Sequence, residues 1–258
     1  MKRLTGIGVL VTRPENQGSH LCQLIEAEGG AAVHYPALFI RARPDRAAVR
    51  AAIGPTDRFD LVVFVSANAV RFGADILGER RDLQVAAIGQ ATAAALNAAG
   101  YRVSLLPAEG ADSESLLAMP QLADLHGKRV LIVRGSGGRD LLFGAMSERG
   151  AQVQYAEMYT REPAHPSAER QAEVEQLWRQ GGITAYTATS VELLEALVGI
   201  VTLRCRELMD STLLVTGSRR VADAAARLGL GSPIVIADSP EDAALVGALV
   251  RWREQVKP

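Results

Sequence analysis

The sequence predicts an α/β fold of two similar domains, each with a roughly five-stranded parallel sheet flanked by helices, joined by a two-stranded linker. Short apolar runs alternate with helical patterns along the chain, which is typical of β–α–β units. The same segments recur nearly half a chain length further on. Two extended segments with prolines beside them occupy equivalent places in the two halves.

The clearest β–α–β unit covers residues 127–162. Its first strand is the apolar, β-branched run 130–133, which suits a strand buried on both faces. A turn with three glycines follows (Gly135, Gly137, Gly138), then a helical pattern that ends at Gly150. Chemistry is expected at the carboxyl end of the first strand.

The unit is a repeat of the N-terminus. VLVTRP from Val9 matches VLIVRG from Val130, and GAAVHY from Gly30 matches GAQVQY from Gly150. So long a period indicates two similar domains and not a solenoid.

Further strands are predicted at residues 8–12, 31–35, 61–65, 84–88, 101–105, from 151, 183–187, 212–216 and 233–237. Helices are predicted at 15–28, 45–53, 69–76, 91–99, from 113, 167–179, 191–197, 201–209, 218–228 and 241–255. The extended segments 38–43 and 157–161 are candidates for the links between domains. A single ten-stranded sheet is the alternative, and the duplication alone suggests a boundary near Gly127.

The composition excludes several classes of function. With 258 residues, 48% hydrophobic, 22% charged and a net charge of −1, the chain is not expected to bind nucleic acid through bulk positive potential. A local basic lining for a small anion stays possible. Cys22 and Cys205 lie in opposite halves and do not suggest a disulfide framework. The absence of a signal peptide or an 18-residue apolar run predicts a cytoplasmic protein.

Many strand-to-helix turns carry small hydroxyl residues. Such turns offer hydroxyls and free N–H groups, which suit carboxylate or phosphate; helix capping is the alternative for each. The residues are Thr12, Ser66, Thr92, Ser136, Thr187, Ser190, Thr216 and Ser218.

Four arginines stand in the same turns: Arg13, Arg134, Arg139 and Arg219. A guanidinium suits carboxylate recognition, and an ordinary surface role is the alternative. The glycines at 135–138 fail the dinucleotide-binding spacing, and no phosphate-binding P-loop motif is present.

Tyr159 is the most suggestive single residue. It lies on a proposed link, and alternation places Arg161 on the same face. A phenol can act as an acid and a hydrogen-bond donor, while packing at a domain edge is the alternative. The four histidines are isolated, so no structural metal is expected.

Over nearly its full length, the chain resembles bacterial uroporphyrinogen-III synthases. The matching pieces, in order, are VLVTRP, FVSANAV, AIGQATAAAL, SESLL, GKRVLIVRGSGGRDLL, RGAQV, EMYTR, TSVELLEAL and VTGSRRVADAAARLG. Each is short, and their order and spacing make the match specific.

The resemblance implies that the domains exchange sequence. Residues 1–36 and 164–258 would form one α/β domain and residues 42–156 the other. Residues 37–41 and 157–163 would be the linker strands, which allow a hinge motion.

The resemblance also implies the reaction: cyclisation of hydroxymethylbilane to uroporphyrinogen III in haem biosynthesis, with loss of water and inversion of ring D, without a cofactor. It implies catalytic roles for Tyr159 and Thr92. Substrate carboxylates would be held by Ser66, Gly89, Ser190, Thr216 and Ser218, and the turn arginines Arg13, Arg134 and Arg139 are candidates for the same role.

Other interpretations remain at this point. A two-lobed module that senses a small molecule without catalysis is the main alternative, and a nucleotide-dependent transferase is a third. A monomer is expected, with transient hand-over of the bilane from the upstream synthase possible.

Overall fold

The computed structural model describes residues 2–78 and 83–256 and divides into two compact units. Unit 1 consists of Met1–Phe39 and Glu162–Pro258, and unit 2 of Ile40–Arg161. The chain passes from unit 1 to unit 2 within β3 (Leu38–Ala42) and returns within β7 (Gln152–Pro163). Each unit therefore has its own sheet and its own core.

Unit 1 is assembled from both ends of the sequence. The N-terminal part contains β1 (Gly8–Val11), α1 (Ser19–Ala27) and β2 (Ala31–His34). The C-terminal part contains α7 (Ala168–Arg179), β8 (Ala185–Thr187), α8 (Val191–Ile200), α9 (Leu203–Met209), β9 (Leu213–Thr216), α10 (Arg219–Arg227), β10 (Ile234–Ile236) and α11 (Asp242–Val256).

Unit 2 is continuous in sequence. After β3 come α2 (Arg46–Ile53), β4 (Leu61–Phe64), α3 (Ala67–Gly73), β5 (Gln84–Ala87), α4 (Gln90–Ala98), α5 (Ser113–Leu117), β6 (Arg129–Gly135) and α6 (Leu141–Glu148), followed by β7. Short 3-10 turns occupy Thr56–Arg58, Ala74–Leu77 and Pro120–Leu122.

The described residues form two five-stranded sheets, which confirms the predicted fold class and contradicts a single ten-stranded sheet. The strand order is β10-β9-β8-β1-β2 in unit 1 and β3-β7-β6-β4-β5 in unit 2. All the strand pairs in unit 1, and the pairs among β7, β6, β4 and β5, are parallel. The orders match the sequence duplication, with β1 and β2 corresponding to β6 and β7.

Each sheet is buried on both faces because alternate strand residues feed two separate apolar clusters. In unit 1, Leu10 packs with residues of α7 to α10, while its neighbours Val9 and Val11 pack with α1 and α11. In unit 2, Leu131 packs toward α3 and α4, and Ile132 toward α5 and α6. The carboxyl ends of the parallel strands are therefore the places left for a site.

Two sequence predictions are wrong in detail. The strand predicted at 101–105 is reduced to one bridge between Ala86 and Leu105, because the side chain of Ser104 takes the N–H of Val85 at 3.0 Å in place of a backbone partner. The helix predicted from residue 15 begins at Ser19, since Pro14 accepts a turn bond from Gln17. The segment 157–161 is extended, as predicted, and forms the continuation of β7.

Candidate functional site

A pocket of about 280 Å³ lies at the carboxyl edge of the unit 2 sheet. Its wall includes the ends of β4, β6 and β7 and the glycine turn after β6. The wall includes the polar side chains of Ser66, Arg134, Arg139, Tyr155, Tyr159 and Arg161. Four sequence-predicted site residues, Ser66, Arg134, Arg139 and Tyr159, are thus brought to one pocket.

Tyr159 places a buried phenol in the wall of this pocket. Its side chain is only 2% exposed, and its ring stacks on Phe72 with centroids 5.6 Å apart. The phenol oxygen lies 3.0 Å from Ser66 Oγ, which also accepts the N–H of Ala69 at the start of α3. The phenol is therefore held in one orientation by packing and by a hydrogen bond.

A shift in strand register sets the position of Tyr159. Arg134 pairs with Glu157, but the next residue of β6, Gly135, pairs with Tyr159. Met158 is left as the extra residue, and both Met158 and Tyr159 are buried. A Cβ on Gly135 would lie 2.5 Å from the Tyr159 ring, so only glycine lets the ring cross the end of β6.

Arg134 is a buried cation, 6% exposed. Its Nε donates to the carbonyl of Gly135 at 3.1 Å and its Nη1 donates to Asp140 Oδ1 at 3.1 Å. The guanidinium carbon lies 4.4 Å from the centre of the Tyr155 ring, a cation–π distance.

Asp140 and Tyr155 both contact the Arg134 guanidinium and bond to each other. The Tyr155 hydroxyl donates to Asp140 Oδ1 at 2.8 Å. That bond, together with the Arg134 guanidinium, lowers the pKa of Asp140 below its usual value. Burial and the same hydrogen bond raise the pKa of Tyr155 to about 12. At neutral pH the carboxylate is therefore charged and the phenol protonated.

Arg139 has a carboxylate partner of its own. Its two terminal nitrogens donate to the two oxygens of Glu114 at 2.5 and 3.2 Å. Both side chains are about half exposed, so the pair is screened by water and costs little to exchange. Another carboxylate could therefore compete with Glu114 for this arginine.

Glu157 bonds to the glycine turn that follows β6. Its carboxylate accepts from Arg43 Nη1 at 3.1 Å and from the N–H of Gly137 at 3.4 Å. Arg43 also donates to Ser136 Oγ at 3.1 Å. These contacts fix the turn, and they give Ser136 a structural partner.

Gly89 and Thr92 lie at the same sheet edge and outside this pocket's wall. Gly89 precedes α4 in extended backbone, and a Cβ there would lie 2.6 Å from the Ala111 side chain. Thr92 is buried in the first turn of α4, 3% exposed. Both residues follow β5, which neighbours β4, and the end of β4 carries Ser66.

The other candidates gather at the carboxyl edge of the unit 1 sheet. Arg13 follows β1 and pairs with Asp242 at 2.9 Å. Thr12 donates to the carbonyl of Thr187 at 2.6 Å, and the Thr187 hydroxyl donates to the carbonyl of Leu10 at 3.5 Å, so both hydroxyls join neighbouring strands.

Two of the unit 1 serines precede helices, as their turn positions predict. Ser190 caps α8 by accepting from Leu193 at 3.1 Å. Ser218 precedes α10 without a side-chain cap bond, and its N–H donates to Thr216 Oγ1 at 3.3 Å. Arg219 is the first residue of α10 and is exposed. Capping therefore accounts for Ser190 and does not account for Ser218.

Residues 2–78 and 83–256 contain no cluster of three or more His, Cys, Asp or Glu side chains arranged to hold a metal ion. No helix in that part of the chain has both the length and the apolar character to cross a membrane.

The comparisons identify the family. The model of the family described as uroporphyrinogen-III synthase HemD matches residues 19–247. The chain belongs to the uroporphyrinogen-III synthase family. The uroporphyrinogen-III synthase of Escherichia coli K12 is 34% identical over 253 residues, which are 94% of this chain and 100% of that relative. That of Chlorobaculum parvum is 25% identical over 88% of this chain and 92% of the relative.

Solved structures agree on the fold. Uroporphyrinogen III synthase from the extremely thermophilic bacterium Thermus thermophilus, in a mutant form, gives a TM-score of 0.65 at 19% identity over 97% of this chain and 100% of the other. The Helicobacter pylori enzyme gives 0.66 at 14% identity, covering 95% of this chain and 99% of the other. At such identities the agreement concerns the fold alone.

The sequence did not point to Tyr155, which lines the pocket, or to Asp140, which bonds to Arg134. Strand alternation is no guide to Tyr155, because the register shift before Tyr159 places the two tyrosine rings against different apolar clusters. Asp140 has no sequence signal either, because a carboxylate just before a helix is ordinarily a cap. Here it makes no cap bond.

Proposed function

We propose that the protein is a uroporphyrinogen-III synthase, a lyase that cyclises hydroxymethylbilane to uroporphyrinogen III with loss of water and inversion of ring D. The observation that carries the proposal, beside membership of the family, is a buried phenol in a pocket with three arginines in its wall: Arg134, Arg139 and Arg161. The substrate has eight carboxylates, so this charge suits it.

In the proposed mechanism Tyr159 assists departure of the substrate hydroxyl. If Ser66 donates to the phenol oxygen, the phenol proton is free to point at the leaving group. The bonds then run from the N–H of Ala69 through Ser66 to Tyr159, and such chains polarise each other. The hydroxyl leaves as water with that proton, and the bilane becomes an azafulvene cation.

The later steps are intramolecular. The substituted carbon of ring D attacks the cation to form a spiro intermediate, which fragments and closes at the other position. Loss of a proton from ring D restores the neutral pyrrole, and solvent returns a proton to Tyr159. One bilane gives one macrocycle and one water molecule, and no oxidant or reductant is needed.

The main work of the protein in this proposal is positioning. Spontaneous closure gives the symmetric isomer I, so the substrate must be held folded with ring D turned. Thr92 is the second catalytic candidate. Distributed carboxylate binding is assigned to Ser66, Gly89, Arg134 and Arg139 in unit 2, and to Arg13, Ser190, Thr216 and Ser218 in unit 1.

The domain boundaries are those implied by the family resemblance, with residues 37–41 and 157–163 as linker strands. We propose a monomer in the cytoplasm that receives the bilane by transient hand-over from the synthase that makes it. A non-catalytic sensor is the alternative against which the enzyme is tested.

The test supplies the purified protein with freshly generated hydroxymethylbilane and no added cofactor. The products are oxidised and the porphyrin isomers separated. Predominant isomer III, formed faster than in a blank, supports the proposal. Isomer I alone at the blank rate would refute it and leave the sensor.

A further inference from the structure

The space beside Gly138 is the feature that carries a further inference. A Cβ placed on Gly138 would lie 3.0 Å from Arg134 Nη2 and 3.6 Å from Arg161 Nη2. Two guanidinium groups therefore border the same small space beside the Gly138 backbone (the gap), and a side chain there would press against Arg134. The residue has φ +95°, a conformation that glycine adopts readily and other residues do not.

The hydrogen bonds of Arg134 orient its guanidinium so that Nη2 faces the gap. The guanidinium bonds to the protein through Nε and Nη1, toward Gly135 and Asp140. Its face is covered by the Tyr155 ring. Nη2 is the nitrogen that borders the gap, so the protein contacts of Arg134 aim a charged N–H pair at it.

Asp140 and Tyr155 serve as positioning residues in this arrangement. They hold the guanidinium through one hydrogen bond to Nη1 and one ring contact, and leave Nη2 toward the gap. Because Arg134 is almost fully buried, an anion in the gap interacts with it through little water, which strengthens the attraction.

We propose that Gly138, Arg134 and Arg161 form a subsite for one carboxylate of the substrate. The assignment rests on the proposed function for the identity of the anion. The Arg161 guanidinium lies 6.0 Å from the centre of the Tyr159 ring, so a carboxylate held there anchors the part of the substrate next to the phenol. The subsite thus fixes the reacting end of the bilane.

The test compares alanine at two neighbouring glycines. Gly138→Ala fills the gap, whereas Gly137→Ala, at φ +72°, has nothing within 4 Å of its Cβ. Both carry the strain of a positive φ, so the excess effect at Gly138 reports the subsite. We expect KM for hydroxymethylbilane to be about tenfold higher in Gly138→Ala than in Gly137→Ala, with kcat changed less than about twofold between them.

A second variant and a second readout guard against misfolding. Arg161→Gln keeps the glycine turn and should also raise KM about tenfold, with a weaker dependence on salt because one charge is lost. Binding of uroporphyrin III, a stable octacarboxylate, is measured by its own fluorescence and should weaken in both Gly138→Ala and Arg161→Gln.

The outcomes separate this inference from the proposed function. If the wild-type protein makes isomer III while the two alanine variants share one KM and one porphyrin affinity, the subsite is refuted and the function stands. If the wild type makes only isomer I while Gly138→Ala still weakens uroporphyrin binding more than Gly137→Ala, the function fails and the subsite stands.

Discussion

Replacing Tyr159 by phenylalanine removes a single oxygen atom from the pocket. The ring keeps its stacking on Phe72 and its place over Gly135. Ser66 keeps its bond from the N–H of Ala69 and loses only the phenol. The change is therefore close to a pure test of the phenol proton.

The expected effect on turnover is larger than the effect on stability. A positioned general acid typically contributes a factor of about 10² to 10⁴. We expect the low end, a fall in kcat of about 100-fold or about 2.7 kcal/mol, because the azafulvene cation is already stabilised by its pyrrole. Loss of one neutral hydrogen bond should lower the free energy of unfolding by about 1 kcal/mol.

The assay measures kcat and KM for hydroxymethylbilane and the ratio of isomers after oxidation. The share of isomer I should rise because spontaneous closure competes with the slowed enzyme, while KM should stay near that of the wild type. Tyr186→Phe is the matched control, because that phenol is equally buried and bonds to Ser232 at 2.6 Å within the unit 1 core. It should cost similar stability and leave kcat unchanged.

An unchanged kcat in Tyr159→Phe would refute the acid role. Equal falls in kcat for Tyr159→Phe and the control would point instead to a general loss of folded protein. Only a selective fall in the pocket variant supports the reasoning.

Glu114→Gln should free Arg139 from its internal partner and tighten uroporphyrin binding about two- to threefold, whereas Arg139→Gln should weaken it; calorimetry with both variants measures the difference. Gly8→Ala should destabilise strongly, by several kcal/mol, because its Cβ would overlap the backbone carbonyl of Gly182. Gly199→Ala, in α8 with open space, should stabilise by up to about 1 kcal/mol, and urea unfolding compares the two. Burial raises the pKa of Tyr186 from 10.0 to about 12, so the folded state holds a proton that the unfolded state has released. Stability should therefore fall between about pH 10 and pH 12 by up to about 2.7 kcal/mol, and Tyr186→Phe should flatten that decline in alkaline denaturation curves.

The sheets could be predicted from the sequence because their strands are apolar on both faces. Runs such as those ending at Val11 and Val133 have no amphipathic ambiguity, and glycines such as Gly150 end the helices before the next strand. The bridge at Leu105 was overestimated as a strand, since the Ser104 hydroxyl replaces a ladder bond, and composition does not reveal this.

The pocket was predictable only in part. Ser66, Arg134, Arg139 and Tyr159 follow from turn positions, residue chemistry and the family resemblance. The register shift that makes Met158 an extra residue in β7 depends on how β7 pairs with β6, and this pairing is a tertiary property. The gap beside Gly138 depends on the positions of the Arg134 and Arg161 guanidinium groups in the folded protein, which the sequence does not give.

Unit 1 is built from both ends of the chain, and this affects how the protein folds while the ribosome makes it. β1 pairs with β8 on one side, and β8 is made only after the whole of unit 2. At ribosomal rates of roughly 5–20 residues per second, the N-terminal strands wait on the order of ten seconds for that partner. Unit 2, continuous in sequence, can fold meanwhile. The apolar residues of β1 therefore spend this time without their final neighbours on that side.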